Sequence, residues 1–243
     1  MIKIGRKLKL LISFFSFLIA WFCSYYIFRI RNKVKVIGQE NLPRSVNTLF
    51  LANHQTLLDS FLIGVSVISL KELIFNPIRL PWNAPDKDNF FYNKIITNIM
   101  VLLKTIPVIR NSKRKKKTDN DVIKKQVKRF CSALRHSNLL LFFEGTRSRN
   151  KKIGKCKSGV TEAIRIAKPK YVVPILLHDI HNIMPIKVGF NLFKIGSNKK
   201  GFIVIGKPVD FSDLDNLSKN QEIRKLISER VRQSVIDLKK DLP

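Results

Sequence analysis

Short apolar runs alternate with longer amphipathic stretches along most of the chain. The short runs are aliphatic and β-branched, and they predict strands at Lys33–Ile37, Thr48–Ala52, Pro107–Ile109, Leu139–Phe143, Tyr171–Leu177, Ile186–Phe193 and Phe202–Ile205. The longer stretches have helical spacing and predict helices near Thr56–Leu70, Asn89–Leu103, Asp119–His136, Ser158–Ala167 and Asn220–Lys240. Because predicted strands alternate with predicted helices along the chain, we expect an α/β fold in which helices flank a sheet.

The N-terminus departs from this alternation. Leu10–Phe28 carries no charge over 19 residues, about the length that crosses a bilayer core. Basic residues flank both ends, so a positive-inside bias gives no orientation, and no small-residue cleavage site follows. We predict an N-terminal hydrophobic membrane helix as an anchor over residues 1–32, which either spans or dips in and returns, and one globular domain over residues 33–243.

The chain is strongly basic, with 46 Lys+Arg against 17 Asp+Glu and a formal net charge of +29. Such a surface attracts nucleic acid or an anionic membrane, and part of the lysine excess also fits an A/T-rich coding sequence. The apolar N-terminus, together with the lack of zinc-finger spacing or an RNP-like stretch, favours the membrane. Nucleic-acid binding stays a distant alternative. The three cysteines form no CxxC pair and suggest no metal site.

A histidine and an aspartate lie where a predicted strand gives way to a predicted helix. His54 follows the strand directly, and Asp59 is five residues further on, close enough to hold one ring nitrogen and raise the basicity of the other. No GxSxG motif supplies a nucleophile, so His54 would activate a hydroxyl of the substrate. Taken alone, this short pattern also fits a histidine with a structural role.

A second cluster, Phe143–Arg149, follows another predicted strand. A glycine turn at Gly145 lets backbone N–H groups approach an anion, and Thr146 adds a hydroxyl. The planar fork of Arg147 suits a phosphate, and Glu144 could hold its guanidinium. The cluster therefore predicts a phosphate site, with an ordinary charged turn as the alternative.

Two further blocks accompany these clusters. Lys104–Arg110 brings cationic groups to the end of a predicted strand, and Val173–Ile175 has no reactive side chain and would contribute shape. The order and spacing of all four blocks resemble the lysophospholipid acyltransferase (glycerolipid acyltransferase) family of the 1-acylglycerol-3-phosphate acyltransferase type. That family shows NHxxxxD, Val-x-Arg, FPEGTRS and VPI-like blocks, which here read NHQTLLD, IPVIR, FFEGTRSR and VVPIL. Phe143 stands where the family usually has proline, and Ile106-Pro107 replaces the commoner Gly-x.

The resemblance implies a role for each matching residue. His54 and Asp59 would be the catalytic pair. The acceptor phosphate would bind to Glu144, Gly145, Thr146 and Arg147, with Arg110 as a helper and the basic residues Lys104, Lys155 and Lys157 as weaker candidates.

The resemblance also implies the reaction. A fatty acyl group would pass from acyl-CoA or acyl carrier protein to the free hydroxyl of a lysophospholipid, 1-acylglycerol-3-phosphate, giving phosphatidic acid in phospholipid biosynthesis without a metal or other cofactor. Glycerol-3-phosphate and lyso-aminolipids stay open as acceptors because the motifs are shared. We expect the active site at the cytoplasmic face of a bacterial inner membrane. The basic run Lys113–Lys117 is either a solvated loop or a contact for anionic head groups or an acidic carrier.

Overall fold

The computed structural model describes residues 6–109, 120–148, 152–184, 195–216 and 220–243. The predicted strand Ile186–Phe193 lies outside these residues. The described helices are α1 Arg6–Tyr25, α2 Asp59–Val67, α3 Leu70–Phe75, α4 Lys87–Phe90, α5 Lys94–Leu102, α6 Asn120–His136, α7 Ser158–Ala167 and α8 Asn220–Asp237. The described strands are β1 Lys33–Ile37, β2 Thr48–Ala52, β3 Trp82–Asn83, β4 Leu139–Phe142, β5 Tyr171–His178 and β6 Lys200–Ile205.

These six strands form one sheet in the order β1-β6-β5-β2-β4-β3. Strands β5, β2, β4 and β3 are parallel, whereas β6 pairs antiparallel with β5 and parallel with β1. All five residues of the central strand β2 are buried, which explains its continuous apolar run. Because β2, β4 and β5 are parallel neighbours, their carboxyl ends lie at one edge of the sheet.

Each face of the sheet carries its own hydrophobic core. Leu49 and Leu51 of β2 point into a core shared with α6, α7 and α8. Phe50 and Ala52 point to the opposite face, into a core shared with α2 and with Phe28. This alternation follows from the two-residue period of a strand. The predicted α/β fold with helices flanking a sheet is confirmed.

Three predicted elements are wrong in detail. Pro107–Ile109 is not a strand, since only Val108 forms an isolated bridge, with Asp86, and Pro107 has no N–H to donate. The short strand β3 takes the position beside β4 instead. The predicted helix Thr56–Leu70 begins only at Asp59 and ends at Val67, and a capping box between Ser69 and Glu72 then starts α3.

The predicted helix Asn89–Leu103 is likewise two helices. Helix α4 ends at Phe90, and α5 begins after Asn93, whose side-chain oxygen accepts a hydrogen bond from the Ile96 N–H at 2.8 Å.

Helix α1 continues into one π-helical turn, Tyr26–Ile30. Among the described residues, Lys7–Ile30 is the helical segment long and apolar enough to cross a membrane, judged by length and composition. The segment is also attached to the rest of the chain, because Trp21 Nε1 donates to the Ile68 carbonyl at 3.1 Å and Ser13 Oγ donates to the Leu102 carbonyl at 2.6 Å. The domain boundary after residue 32 stays a prediction.

Candidate active site

The two principal sequence clusters meet at the carboxyl edge of the sheet. They are 90 residues apart along the chain, but β2 and β4, which precede them, are adjacent strands. Beyond the strand ends, the Ser148 N–H donates to the His54 carbonyl at 2.8 Å. The imidazole of His54 stacks on the ring of Phe142, with 4.0 Å between ring centroids. The histidine and the glycine turn are therefore held against each other.

His54 and Asp59 form a hydrogen-bonded pair. His54 Nδ1 lies 2.8 Å from Asp59 Oδ2, and the aspartate is fully buried while the histidine side chain keeps 14% exposure. Oδ2 also accepts the backbone N–H groups of Gln55 and Thr56, and Oδ1 accepts the Thr56 hydroxyl. The loop folds around this carboxylate, which is why the helix starts three residues later than predicted.

This geometry defines what the histidine can do chemically. When Nδ1–H donates to Asp59, the other ring nitrogen, Nε2, carries the lone pair and can accept a proton. The buried carboxylate then stabilises the imidazolium that forms.

Asn53 and Gln55 attach this loop to β5. The Asn53 amide exchanges two hydrogen bonds with the Leu177 backbone, at 3.0 Å to the carbonyl and 2.7 Å from the N–H. Gln55 Nε2 donates to the same carbonyl at 2.8 Å. The sequence analysis did not predict this bracing role, although an Asn directly after an apolar run was an available signal.

Glu144 makes two backbone contacts that the sequence did not predict. Its side chain is buried, and its two oxygens accept the backbone N–H groups of His54 at 3.1 Å and Gly154 at 2.8 Å. Burial raises the pKa of this carboxyl, against the lowering effect of the two N–H bonds. A Cβ at Gly154 would lie 2.9 Å from Glu144 Oε2, so glycine permits the approach. Glu144 thus connects three loop segments, and the importance of Gly154 was not predicted.

The turn at Gly145 has a left-handed backbone, which glycine adopts without strain. Gly145 has φ +67° and donates its N–H to the Phe142 carbonyl at 2.9 Å. The stem of Lys157 packs on its α-carbon, and the Lys157 N–H donates to the Phe143 carbonyl at 2.9 Å. Thr146 is exposed and Arg147 is half-buried. Among the weaker candidates, Lys157 is thus beside the turn, and Lys155 is exposed in the same loop.

Lys104, a predicted cationic candidate for the phosphate site, is not assembled with this cluster. Lys104 Nζ donates to the Leu80 carbonyl at 2.6 Å and lies 3.0 Å from Ser137 Oγ, and burial lowers its pKa to about 8. It is not among the residues that line the cavity described next. Arg110 and the basic run Lys113–Lys117 lie outside the described residues.

His54 and Arg147 line one cavity of about 540 Å³. Most of its remaining wall is apolar and comes from α1, α2 and α5 and from segments beside them, for example Phe17, Trp21, Phe61, Val65, Ile96 and Met100. A reactive imidazole and a guanidinium therefore open onto a space suited to a hydrocarbon chain. Within the described ranges, no group of three or more His, Cys, Asp or Glu side chains could hold a metal ion.

A family model described as Acyltransferase matches residues 33–178, which run from β1 to the end of β5 and include both clusters. The chain belongs to the acyltransferase family. It is accordingly an enzyme of the acyltransferase type, and the family resemblance of its sequence blocks is confirmed. The roles of individual residues stay predictions.

Comparison with solved structures agrees on the fold of this acyltransferase. The crystal structure of the 1-acyl-sn-glycerophosphate (LPA) acyltransferase PlsC from Thermotoga maritima is similar, with a TM-score of 0.61 and 19% sequence identity. The match covers 98% of this chain and 85% of that chain. No curated protein matches the sequence.

Proposed function

We propose that this acyltransferase moves a fatty acyl group from acyl-CoA or acyl carrier protein to the free hydroxyl of a lysophospholipid, giving phosphatidic acid from 1-acylglycerol-3-phosphate. One observation carries the proposal. His54, braced by Asp59, shares an otherwise largely apolar cavity with Arg147. A proton acceptor, a cation and a hydrocarbon-compatible wall in one space match the hydroxyl, the phosphate and the acyl chain of such a substrate.

The acceptor phosphate would bind to Arg147 and to the backbone N–H of Thr146 in the Gly145 turn, because the Gly145 N–H already donates to the Phe142 carbonyl. A phosphomonoester carries more negative charge than a phosphodiester, which favours a guanidinium that can donate two parallel hydrogen bonds. Support for 1-acylglycerol-3-phosphate also comes from the similarly folded PlsC, which is a lysophosphatidic acid acyltransferase.

The reaction needs one proton acceptor that becomes a proton donor. The acceptor hydroxyl attacks the thioester carbonyl while its proton passes to His54 Nε2. The Asp59 carboxylate stabilises the resulting imidazolium. When the tetrahedral intermediate collapses, the carbon–sulfur bond breaks, and the thiolate takes the proton from His54. General-base assistance of this kind contributes about 10²–10⁴-fold to the rate.

Acyl chains would occupy the apolar part of the cavity between α1, α2 and α5. Helix α1 would associate with the membrane that holds the lysolipid, since it is the described helix with a membrane-spanning length and composition. Residues 33–243 would then work at the membrane surface, which we place at the cytoplasmic face of a bacterial inner membrane.

The test is product analysis with the purified full chain. A panel of lysolipids and glycerol-3-phosphate is offered with labelled acyl-CoA or acyl carrier protein, and each product is identified by mass. We expect labelled phosphatidic acid from 1-acylglycerol-3-phosphate. His54→Ala should abolish transfer, and His136→Ala, which changes an exposed histidine on α6, should not. Wild-type turnover by His54→Ala would remove His54 from the mechanism.

A further inference from the structure

Helix α6 has an exposed face that is made almost entirely of cations. Five exposed basic side chains lie along it: Lys124, Lys125, Lys128, Arg129 and Arg135. Their spacing of three or four residues places most of them on one side of the helix, over a length of about 17 Å. Among the described side chains of α6, Asp121 is the one acidic residue, and Lys124 lies 3.9 Å from it. The face is therefore strongly positive.

Helix α8 packs on the same face of the sheet and differs in charge. It contains four cations and three acidic residues. Two of its cations form ion pairs, Arg224 with Glu162 and Arg230 with Asp213. Lys128 and Arg129 of α6 form no ion pair with any described residue. The basic composition of the whole chain therefore does not account for the charge of α6.

The cations of α6 begin near the active site. Since α6 precedes β4, which is parallel to β3, it runs antiparallel to both strands, and its first turns lie at the carboxyl edge of the sheet. Helix α7 packs beside it, and the segment leading into α7 carries exposed Lys152, Lys155 and Lys157. The stem of Lys157 packs on Gly145. Positive charge thus extends from α6 to the glycine turn.

The basic face of α6 is turned away from the apolar helix α1. Helix α6 covers the core that contains Leu49 and Leu51, whereas Phe28, which follows α1, packs on the opposite side of the sheet. No large apolar side chain of α6 is exposed in the described part of the chain. A helix that binds a bilayer surface combines cations with exposed apolar residues. The face of α6 therefore suits an acidic, soluble partner.

We propose that the first turns of α6, with Lys152 and Lys155, form a basic surface that binds an acyl carrier protein. Carrier proteins are acidic and present the acyl thioester on a flexible pantetheine arm. A carrier bound at this edge of the sheet directs its arm toward His54 and the cavity. The proposal rests on the proposed function and deepens it, because it assigns a recognition surface to one of the two donors.

The first test compares the two donors. The triple variant Lys124→Glu/Lys128→Glu/Arg129→Glu changes exposed residues, none of which lines the cavity. We expect its KM for palmitoyl carrier protein to rise at least about tenfold, because charge complementarity speeds association. Its KM for palmitoyl-CoA and for lysophosphatidic acid should stay at the wild-type values. An unchanged KM for the carrier protein, or an equal rise for both donors, would overturn the proposal.

The matched control reverses the same number of charges elsewhere. Lys225→Glu/Arg232→Glu/Lys239→Glu changes exposed cations on α8 and in the turn after it. This variant has the same net charge as the first, so it corrects for the overall loss of positive charge. Its KM for palmitoyl carrier protein should match the wild type. A rise as large as that of the α6 variant would show that net charge, rather than the basic surface, recruits the carrier.

Binding measurements do not depend on catalysis. The wild-type full chain should bind holo carrier protein without an acyl group, and the Kd should rise with salt. The α6 variant should bind it at least about tenfold more weakly, whereas both proteins bind phosphatidylglycerol vesicles equally. Loss of vesicle binding with unchanged carrier binding would assign the surface to lipid head groups and overturn the proposal.

These measurements separate the proposal from the proposed function. If neither donor supports acylation of any lysolipid, the proposed function fails, whereas binding of the holo carrier protein still decides the role of the basic surface. If the α6 variant uses both donors like the wild type, the basic surface is refuted while the acyl-transfer function stands.

Discussion

Replacing Asp59 by asparagine removes one charge while keeping the side chain's shape. The carboxylate accepts His54 Nδ1–H and two backbone N–H groups on one oxygen and the Thr56 hydroxyl on the other. If the new amide turns its NH₂ group toward His54, the ring is forced into the tautomer without a free Nε2 lone pair. If it turns its oxygen toward His54, the imidazolium formed during reaction loses its counter-charge. Both orientations lower kcat.

The expected loss in kcat is about 10²–10⁴-fold, the range of general-base assistance, which corresponds to about 2.7–5.4 kcal/mol of activation free energy. The KM for the lysolipid should change little, because the substitution leaves Arg147 in place. Folding should be weakened by about 1–3 kcal/mol, since a buried charged acceptor is lost. Thiol release from acyl-CoA measures kcat, and urea denaturation measures stability, so the two losses are separated.

Two further variants are measured beside Asp59→Asn. Thr56→Val removes only the hydroxyl that donates to Asp59 and should cost about tenfold in kcat. Asp241→Asn changes an exposed aspartate near the C-terminus and should match the wild type. A folded Asp59→Asn enzyme with wild-type kcat would refute the assignment of Asp59 as the group that supports His54.

Three further substitutions test other parts of the molecule. Arg147→Ala should raise the KM for lysophosphatidic acid at least about tenfold, because it removes a charge-assisted contact. The control Arg135→Ala changes an exposed arginine on α6 and should leave this KM unchanged. Equal KM values for the two variants would contradict the phosphate site. Gly64→Leu should stabilise α2 by up to about 1 kcal/mol, since nothing lies within 4 Å of a Cβ at this position. The same substitution fills part of the cavity and should therefore lower kcat/KM for long acyl donors relative to short ones. An unchanged dependence of kcat/KM on chain length would place the acyl chain elsewhere. Burial lowers the pKa of Lys104 from 10.5 to about 8, so the folded protein binds this proton less tightly than the unfolded chain. The free energy of unfolding of the wild type relative to Lys104→Met should therefore rise from pH 8 to 10.5 in urea titrations, and a constant difference would show that Lys104 does not titrate as stated.

Local pattern was enough to predict the main elements and the family. A continuous apolar run such as Thr48–Ala52 fits a strand covered on both faces, and the NHQTLLD and FFEGTRSR blocks are specific enough to identify an acyltransferase family. Very short apolar runs were less reliable predictors of strands. Pro107–Ile109 looked like a strand because of its composition, but strand pairing needs a neighbour as well as a propensity, and β3 occupies the place beside β4.

The amino-acid pattern was sufficient for the type of most helices and strands, for the two reactive clusters and for the His54–Asp59 spacing, because these depend on neighbours a few residues away. The packing of the strands in space fixes which of them are adjacent, and therefore that His54 and Arg147 line one cavity. It also decided that Glu144 holds the backbone of His54 and Gly154, and that Lys104 binds carbonyl groups away from the cavity. The reason is physical: a side chain's partners are set by what approaches it through space, and a one-dimensional pattern records residue types without recording those approaches.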